Sequence, residues 1–273
     1  MTMPHPRKPL RIALIGWGAI SRRVAGLLAE RSASRVNIAA IGLRDLSAKP
    51  DLPTGATPIT DPDQLAGLGL DLVVEAAGRA AVASWGVAAL RHAPAFVAAS
   101  TSAFCDDALL GRLLEVAETN GSRLLIPAGA LGGIDALAAA AALPLDKVTH
   151  TIVKPPAAWR GTAAEGMASL DALAEPLIFF RGSAREAASL FPQNANVAVI
   201  SALAGIGLDR TRIELVADPG AKANSHRLAA SGAFGRLEIA IENRALAANP
   251  KSSEMTALSL VRLIEAAASP FSI

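Results

Sequence analysis

The sequence contains a single cysteine, Cys105, so the chain cannot form an internal disulfide. It also lacks a CxxC motif and any Cys and His residues at metal-ligand spacing. So little cysteine is typical of proteins from reducing compartments. The sequence therefore predicts a cytoplasmic protein that binds no metal.

An excess of charge of one sign is also absent. The 26 Lys and Arg residues nearly balance the 24 Asp and Glu residues, which leaves a formal net charge of +2 at pH 7. Such a chain generates no strong field to attract nucleic acid or an anionic membrane. We therefore expect a small-molecule partner, with no nucleic acid and no membrane.

Long uninterrupted apolar runs are missing, although the mean hydropathy is +0.38. The longest run, 124–145, is broken by Pro127, Gly132 and Gly133. The apolar stretch 12–20 resembles the core of a signal peptide, but it contains two glycines and is followed by Ser-Arg-Arg instead of a small-residue cleavage site. The sequence therefore predicts neither a transmembrane helix nor secretion.

What the sequence does have is a regular apolar pattern. Hydrophobic residues make up 52% of the 273 positions, enough for a large core. In the first half, short apolar runs alternate with helical periods, as in a parallel sheet covered by helices. Asp61-Pro62 predicts a helical N-terminus and Asn120-Gly121 a left-handed helix end. The predicted strands are 11–15, 36–41, 56–59, 72–76, 96–99 and 123–126.

The pattern changes after Pro127. An Ala-rich helix over 134–143 precedes segments of alternating polarity, which suit a sheet with one buried and one wetter face. These predicted strands are 147–154, 177–181, 211–217, 226–230 and 236–242.

The last helix is predicted to begin at Asn249-Pro250, with asparagine as the N-cap and proline in the first turn, and to pack back on the first domain. The predicted fold class is α/β. A Rossmann dinucleotide-binding domain takes 1–128 and 249–273, and an α+β substrate domain takes 129–248.

The run GWGAIS directly follows the first predicted strand and opens a helix, which is the context that a dinucleotide-binding turn requires. Gly16 permits the tight turn. Gly18 lets the backbone approach a pyrophosphate at the positive end of the helix, which Ala19 and Ile20 begin. Ser21 replaces the third glycine of the motif, where a small residue allows close packing of helix and strand.

Cofactor choice between NAD and NADP stays open. Asp45 lies somewhat beyond the usual spacing of about 20 residues for a carboxylate that binds the ribose, and Arg44 beside it suits a 2′-phosphate. Both also fit solvated loop charges. Small residues at later strand ends are expected to face the cofactor, because ligands bind beyond the carboxyl ends of parallel strands: Ala77, Gly78, Ser100 and Ala130.

Histidine is the obvious acid–base candidate, and the chain has four: His5, His92, His150 and His226. His92 ends a predicted helix, where a cation is favourable. His150 lies mid-strand and is most simply interpreted as a packed or hydrogen-bonded residue. His226 begins a strand and is a candidate for a cleft between the domains, although its residue pattern alone favours a structural role.

Several polar residues form candidate contacts for a carboxylate substrate. Asn194 and Asn196 lie in an apolar run at a predicted helix start, where capping explains only one buried amide. Lys251 and Ser252 follow Asn249-Pro250, so a predicted helix N-terminus, a cation and a hydroxyl would together hold an anion. Lys154, with nearby Arg160, is a further candidate.

At these residues the chain resembles the L-aspartate dehydrogenase family, over about 11–267. The common segment is GWGAI at the first turn. The more specific segments are VEAAG (74–78), AGALGGID (128–135), 154–165, NANVA (194–198) and ANPKSS (248–253).

The resemblance implies a homodimeric Rossmann enzyme that uses NAD or NADP to oxidise L-aspartate to iminoaspartate, with 129–248 also serving as the dimerisation domain. The product either hydrolyses to oxaloacetate and ammonia or supplies NAD biosynthesis, and the reaction can also run reductively. Carried over by position, His226 matches the catalytic histidine, and Ala130 and Asn196 match cofactor contacts. Two alternatives remain, a related imine or semialdehyde reductase and a non-catalytic NAD(P)-responsive regulator.

Overall fold

The structure is a computed structural model that describes residues 8–47 and 51–272. The chain divides into two compact units. Unit 1 comprises the residues up to Pro127 and those from Ala257 onward, and unit 2 comprises Ala128–Thr256. Among the histidines, His5 lies outside the described residues.

Unit 1 contains a parallel sheet of six strands. The strands are β1 (Leu10–Ile15), β2 (Val36–Gly42), β3 (Thr57–Ile59), β4 (Leu72–Glu75), β5 (Ala95–Ala98) and β6 (Arg123–Leu125). Their order in the sheet is β3-β2-β1-β4-β5-β6. The order reverses between β1 and β4, which creates the crevice where open α/β sheets bind their ligands. The predicted Rossmann architecture is confirmed.

Three helices connect these strands: α1 (Ala19–Ser32), α2 (Arg79–His92) and α3 (Asp107–Asn120). Gly121 ends α3 in the left-handed conformation, with φ 62°, as predicted. Asp61 caps a single 3-10 turn rather than a longer helix, and its carboxylate accepts the N–H of Asp63. His92 lies in the exposed last turn of α2, also as expected.

Unit 2 is built on a mixed sheet of five strands, in agreement with the predicted α+β domain. They are β7 (Leu145–Lys154), β8 (Leu177–Ser183), β9 (Arg212–Ala217), β10 (Asn224–Gly232) and β11 (Gly235–Asn243), in the order β11-β10-β7-β9-β8. Only β7 and β9 run parallel. The helices are α4 (Ile134–Ala140), α5 (Ala184–Leu190) and α6 (Ala195–Ala204).

The predicted start of the last helix is wrong. The segment Asn249–Ser253 is a strand, β13, which pairs antiparallel with β12 (Ala245–Leu246). Pairing holds this backbone extended, and the Asn249 amide donates to the Ser252 hydroxyl (3.1 Å) instead of capping a helix. Helix α7 therefore spans Glu254–Ala268, and the chain returns to unit 1 at Ala257 rather than at 249.

Helix α7 packs on the sheet of unit 1, as predicted. Ala257, Leu260, Val261 and Ile264 share one buried cluster with apolar residues of β1, β2, β4 and α1. The carboxylate of Glu265 in α7 also accepts a hydrogen bond from the hydroxyl of Ser32 in α1, beside this apolar contact. Within the described ranges, every helix is too short or too polar to cross a bilayer.

Ser21 in α1 is 2% exposed, and its hydroxyl has no hydrogen-bond partner among the described residues. A buried hydroxyl without a partner is unfavourable. We therefore expect Ser21→Ala to raise the free energy of unfolding by about 1 kcal/mol, measured by urea denaturation.

Ser32 provides the matched control, because it lies in the same helix and is similarly buried, but its hydroxyl donates to Glu265 (2.6 Å). Ser32→Ala should lower the free energy of unfolding by about 1 kcal/mol. Equal destabilisation by both substitutions would contradict the analysis of Ser21.

Candidate active site

The turn between β1 and α1 requires glycine at its first position. Gly16 has φ +94°, a conformation that residues with a Cβ rarely adopt. A Cβ at Gly16 would also lie 2.6 Å from the Cβ of Ala77, in the turn after β4. Gly16 therefore lets two strand ends of the sheet come into close contact.

Gly18 presents a different case. Its φ is −84°, and among the described residues a Cβ built on it would meet no atom within 4 Å apart from those of its chain neighbours. The fold itself therefore does not require glycine here. Gly18 is the N-cap of α1, and the first N–H groups of a helix, including those of Ala19 and Ile20, lack partners within it. This open, electropositive turn fits the pyrophosphate of a dinucleotide.

Glu75, at the end of β4, ties the neighbouring loops together. Its side chain is fully buried, and Oε1 accepts the N–H groups of Ala77 and Gly78 (both 2.7 Å) and the hydroxyl of Ser100 (2.8 Å). Oε2 accepts the N–H of Ser100 (3.0 Å). Burial raises the pKa of Glu75, while these four donors act in the opposite direction. Sequence reasoning missed this role, although a glutamate ending an apolar strand was a visible signal.

Arg44 and Asp45 follow β2, and both side chains are exposed. Asp45 accepts the backbone N–H of Ser47 (2.9 Å) and its hydroxyl, and these hydrogen bonds hold the pKa of Asp45 below its ordinary value. All the candidate cofactor residues of unit 1 thus lie beyond the carboxyl ends of four neighbouring strands: Gly16, Gly18, Ala19, Ile20, Arg44, Asp45, Ala77, Gly78 and Ser100.

In unit 2, the pairing of β7 with β10 places His226 opposite Ile152. Side chains alternate between the faces of a strand, so His150 and Lys154 lie on the same face as His226, at diagonal positions. His226 is 5% exposed and His150 is completely buried. The two histidines and the lysine form a row on this face.

The two imidazoles are joined by a hydrogen bond. Nε2 of His150 and Nδ1 of His226 are 3.1 Å apart, and Nδ1 of His150 lies 3.0 Å from the hydroxyl of Ser201 in α6. Burial lowers the pKa of His226 to about 4, with a smaller contribution from the positive charge of Lys154. Burial also lowers the pKa of His150. Both rings are therefore neutral at pH 7.

Sequence reasoning correctly described His150 as a buried, hydrogen-bonded strand residue but missed its partner. The only available signal was its alternation with Val148 and Ile152, which placed it on the buried face. The contact with His226 joins positions that are 76 residues apart in the chain.

Lys154 is a half-buried cation. Its Nζ lies 5.1 Å from the centre of the Trp159 ring, and burial lowers the pKa of Lys154 to about 8. No carboxylate pairs with it within the described part of the chain. Arg160, by contrast, is paired with Asp171. A cation without an acidic partner is suited to hold a carboxylate ligand.

Three further candidate residues of unit 2 lie in two places, the start of α6 and the segment before α4. Asn194 is 7% exposed and precedes α6, yet its side chain makes no capping hydrogen bond. Asn196, in the first turn of α6, is exposed. Ala130 is buried, and its carbonyl accepts the amide of Asn243 (2.8 Å).

The predicted anion site at a helix N-terminus around Lys251 and Ser252 is wrong in its geometry. Both residues lie in β13, before α7 begins at Glu254. Lys251 is exposed and Ser252 is half-buried. Any contact they make with a substrate must therefore come from a strand.

Comparison with known proteins agrees with this arrangement. Residues 135–267 match the family model described as aspartate dehydrogenase, C-terminal, and residues 16–127 match the NAD-binding domain of homoserine dehydrogenase. An L-aspartate dehydrogenase from Brucella anthropi is 58% identical, over 93% of this chain and 95% of its own. The chain belongs to the L-aspartate dehydrogenase family.

Other members of the L-aspartate dehydrogenase family support the same assignment. The enzyme from Ruegeria pomeroyi is 43% identical over 92% of this chain and 90% of its own. The crystal structure of aspartate dehydrogenase from Thermotoga maritima has a TM-score of 0.74 and 26% identity, and the match covers 97% of this chain and 99% of that one. The resemblance inferred from the motifs is confirmed.

This family member carries an NAD-binding domain, and the open turn at Gly18 is the part of unit 1 that fits the cofactor. Across residues 8–47 and 51–272, there is no group of three or more His, Cys, Asp or Glu residues able to hold a metal ion.

The two glycines of the turn should respond differently to alanine. Gly16→Ala should destabilise the protein by about 2 kcal/mol, because of its positive φ and the close contact with Ala77. Gly18→Ala should change the free energy of unfolding by less than about 1 kcal/mol, but weaken NADH or NADPH binding on the order of tenfold. Denaturation and fluorescence titration measure the two quantities. Unchanged cofactor affinity in Gly18→Ala would contradict the assigned role of this turn.

Proposed function

We propose that this chain is an NAD(P)-dependent L-aspartate dehydrogenase, which oxidises L-aspartate to iminoaspartate and then releases oxaloacetate and ammonia. The observation that carries the proposal is the row of His226, His150 and Lys154 in the unit that matches the aspartate dehydrogenase model. The row combines a neutral imidazole with a cation that lacks an acidic partner. An amino-acid imine with two carboxylates requires both kinds of group.

The cofactor would bind to the turn after β1 and to the loops after β2, β4 and β5, and Ala130 and Asn196 of unit 2 are proposed as further contacts. The bound cofactor would supply the acceptor for the hydride that leaves Cα of aspartate. Glu75 keeps two of these loops in place through its four hydrogen bonds.

His226 is proposed as the acid–base catalyst for the imine. Hydride loss from the neutral amine leaves a protonated imine. The neutral ring takes one proton from water as the water oxygen bonds to the carbon of this protonated imine, which yields a neutral carbinolamine. The resulting imidazolium then protonates the amine, and as the C–N bond breaks and ammonia leaves, the hydroxyl proton of the carbinolamine returns to the imidazole and the carbonyl of oxaloacetate forms. Lys154 is proposed to hold a substrate carboxylate, with Asn194, Lys251 and Ser252 as further contacts.

The proposal is tested by following the absorbance of reduced nicotinamide with L-aspartate and each cofactor. His226→Asn should lower kcat by roughly 10² or more while leaving the dissociation constant of the cofactor within about twofold. His92→Asn, at the exposed end of α2, is the matched control and should behave as wild type. Wild-type turnover by His226→Asn would remove its assigned role.

The same assay separates the alternatives. Reductive activity with ammonia and another 2-oxo acid, but not with oxaloacetate, would indicate a related reductase. Cofactor binding without turnover of any amino acid would indicate a regulator.

Lys154 gives the site a pH dependence. Below its pKa of about 8 the amine is charged and attracts a carboxylate, and above this value the attraction is lost. We expect the dissociation constant of succinate, a four-carbon dicarboxylate without an amine to titrate, to rise as pH passes through about 8 towards 9. Lys154→Met should weaken binding and abolish this rise, as measured by calorimetry.

The control for this experiment is Lys147→Met, on the exposed part of the same strand, which should retain the wild-type profile. A profile in Lys154→Met identical to that of the wild type would show that a different group titrates.

The homodimer implied by the family resemblance is also a proposal, and light scattering of the purified protein measures it. The cytoplasmic location expected from the single cysteine stays a prediction.

A further inference from the structure

We propose that Ser201 and His150 are positioning residues that hold His226 in the tautomer protonated at Nδ1, which leaves Nε2 as the basic atom. The inference rests on the proposed function for its catalytic consequence. The tautomer itself can be observed without any activity.

The donor and acceptor of each hydrogen bond can be assigned by starting at Ser201 in helix α6. Ser201 is completely buried in α6, and its hydroxyl donates to the carbonyl of Ala198 (3.0 Å). A hydroxyl has one proton, so the same oxygen can only accept from a second partner. That partner is Nδ1 of His150, at 3.0 Å. His150 therefore carries its proton on Nδ1.

The next step follows from the neutrality of His150. A neutral imidazole has one N–H and one lone pair, so Nε2 of His150 is an acceptor. It lies 3.1 Å from Nδ1 of His226, which must then be the donor. The remaining nitrogen of His226, Nε2, keeps its lone pair. The chain of hydrogen bonds runs from His226 through His150 and Ser201 to the carbonyl of Ala198.

This arrangement of donors and acceptors is also compatible with His226 acting as a general base. When Nε2 of His226 takes a proton, Nδ1 remains a donor and its bond to His150 becomes a stronger, charge-assisted one. Protonation of His150 instead would place two N–H groups against each other. The pair therefore accepts one proton at one position, Nε2 of His226.

The surrounding structure holds this chain in place. His150 lies in β7, between β10 and β9, opposite Leu228 and Ile213. The ring centres of the two histidines are 5.3 Å apart with the planes tilted by 49°. His150 is therefore enclosed by its neighbouring strands and its ring contacts that of His226, so a change of tautomer requires a change of hydrogen-bond partner.

NMR of protein labelled with ¹⁵N-histidine tests the tautomer directly, because the chain has only four histidines. His226→Asn and His92→Asn assign the signals, and exposed His92 provides the reference for an unconstrained ring. At pH 7 we expect His226 of the wild type to show a protonated Nδ1 and an unprotonated Nε2. The opposite tautomer at His226 would overturn the proposal, whatever the activity of the protein.

Ser201→Ala tests the role of the serine. Without the hydroxyl, Nδ1 of His150 loses its acceptor, so His150 should shift its proton to Nε2 and donate to His226. His226 should then carry its proton on Nε2. We expect kcat with L-aspartate to fall by roughly 10²-fold, with KM within about twofold. Ser201→Thr, which keeps a hydroxyl, should restore both the tautomer and kcat.

The control is Thr151→Val, which removes a side-chain hydrogen bond from the same strand on the opposite face and should change neither the tautomer nor kcat. A shifted tautomer in Ser201→Ala with unchanged kcat would overturn the positioning role. If wild-type protein showed the expected tautomer but no turnover of aspartate, the proposed function would fail while the hydrogen-bond chain would stand.

Discussion

The chemistry of unit 2 depends on the register between β7 and β10. Because side chains alternate along a strand, a slip of one residue would send His226 to the other face of the sheet and separate it from His150 and Lys154. The buried apolar residues of β10 on this face make such a slip unfavourable, since Leu228 and Ala230 would move out of the core to the more exposed face. The hydrophobic pattern that builds the core thus also places the imidazole pair.

In unit 1 the turn after β1 must come close to two things, the neighbouring turn after β4 and the proposed cofactor. Gly16 serves the first purpose, since its missing Cβ makes room for Ala77. Gly18 is proposed to serve the second, since no non-neighbouring atom of the described residues lies within 4 Å of a Cβ built on it. Glu75 completes the arrangement, because a buried carboxylate with four donors fixes two loops that have no regular secondary structure. Burial of an ionisable group is unfavourable unless its hydrogen bonds are satisfied, and here they are.

Local patterns predicted much of this molecule. The strands of both sheets, the turn at Gly16 and the left-handed end of α3 at Gly121 follow from periodicity and glycine placement. The start of α7 did not follow, because Asn249-Pro250 carries a local helix-start signal that hairpin pairing overrides. Asn194 or Asn196 was likewise expected to cap a helix, but Asn194, the residue before α6, makes no capping hydrogen bond with its side chain.

By itself, the sequence determined the parallel sheet, the glycine turn and the resemblance to a dehydrogenase family, because each depends on residues close together in the chain or on recognisable motifs. Only the tertiary structure decided which polar groups meet. The bond between His150 and His226 and that between His150 and Ser201 join residues 76 and 51 positions apart, and the bonds of Glu75 to Ser100 span 25. Such partners are chosen by strand pairing and helix packing between distant segments, and the pattern within one segment does not identify the segment with which it pairs.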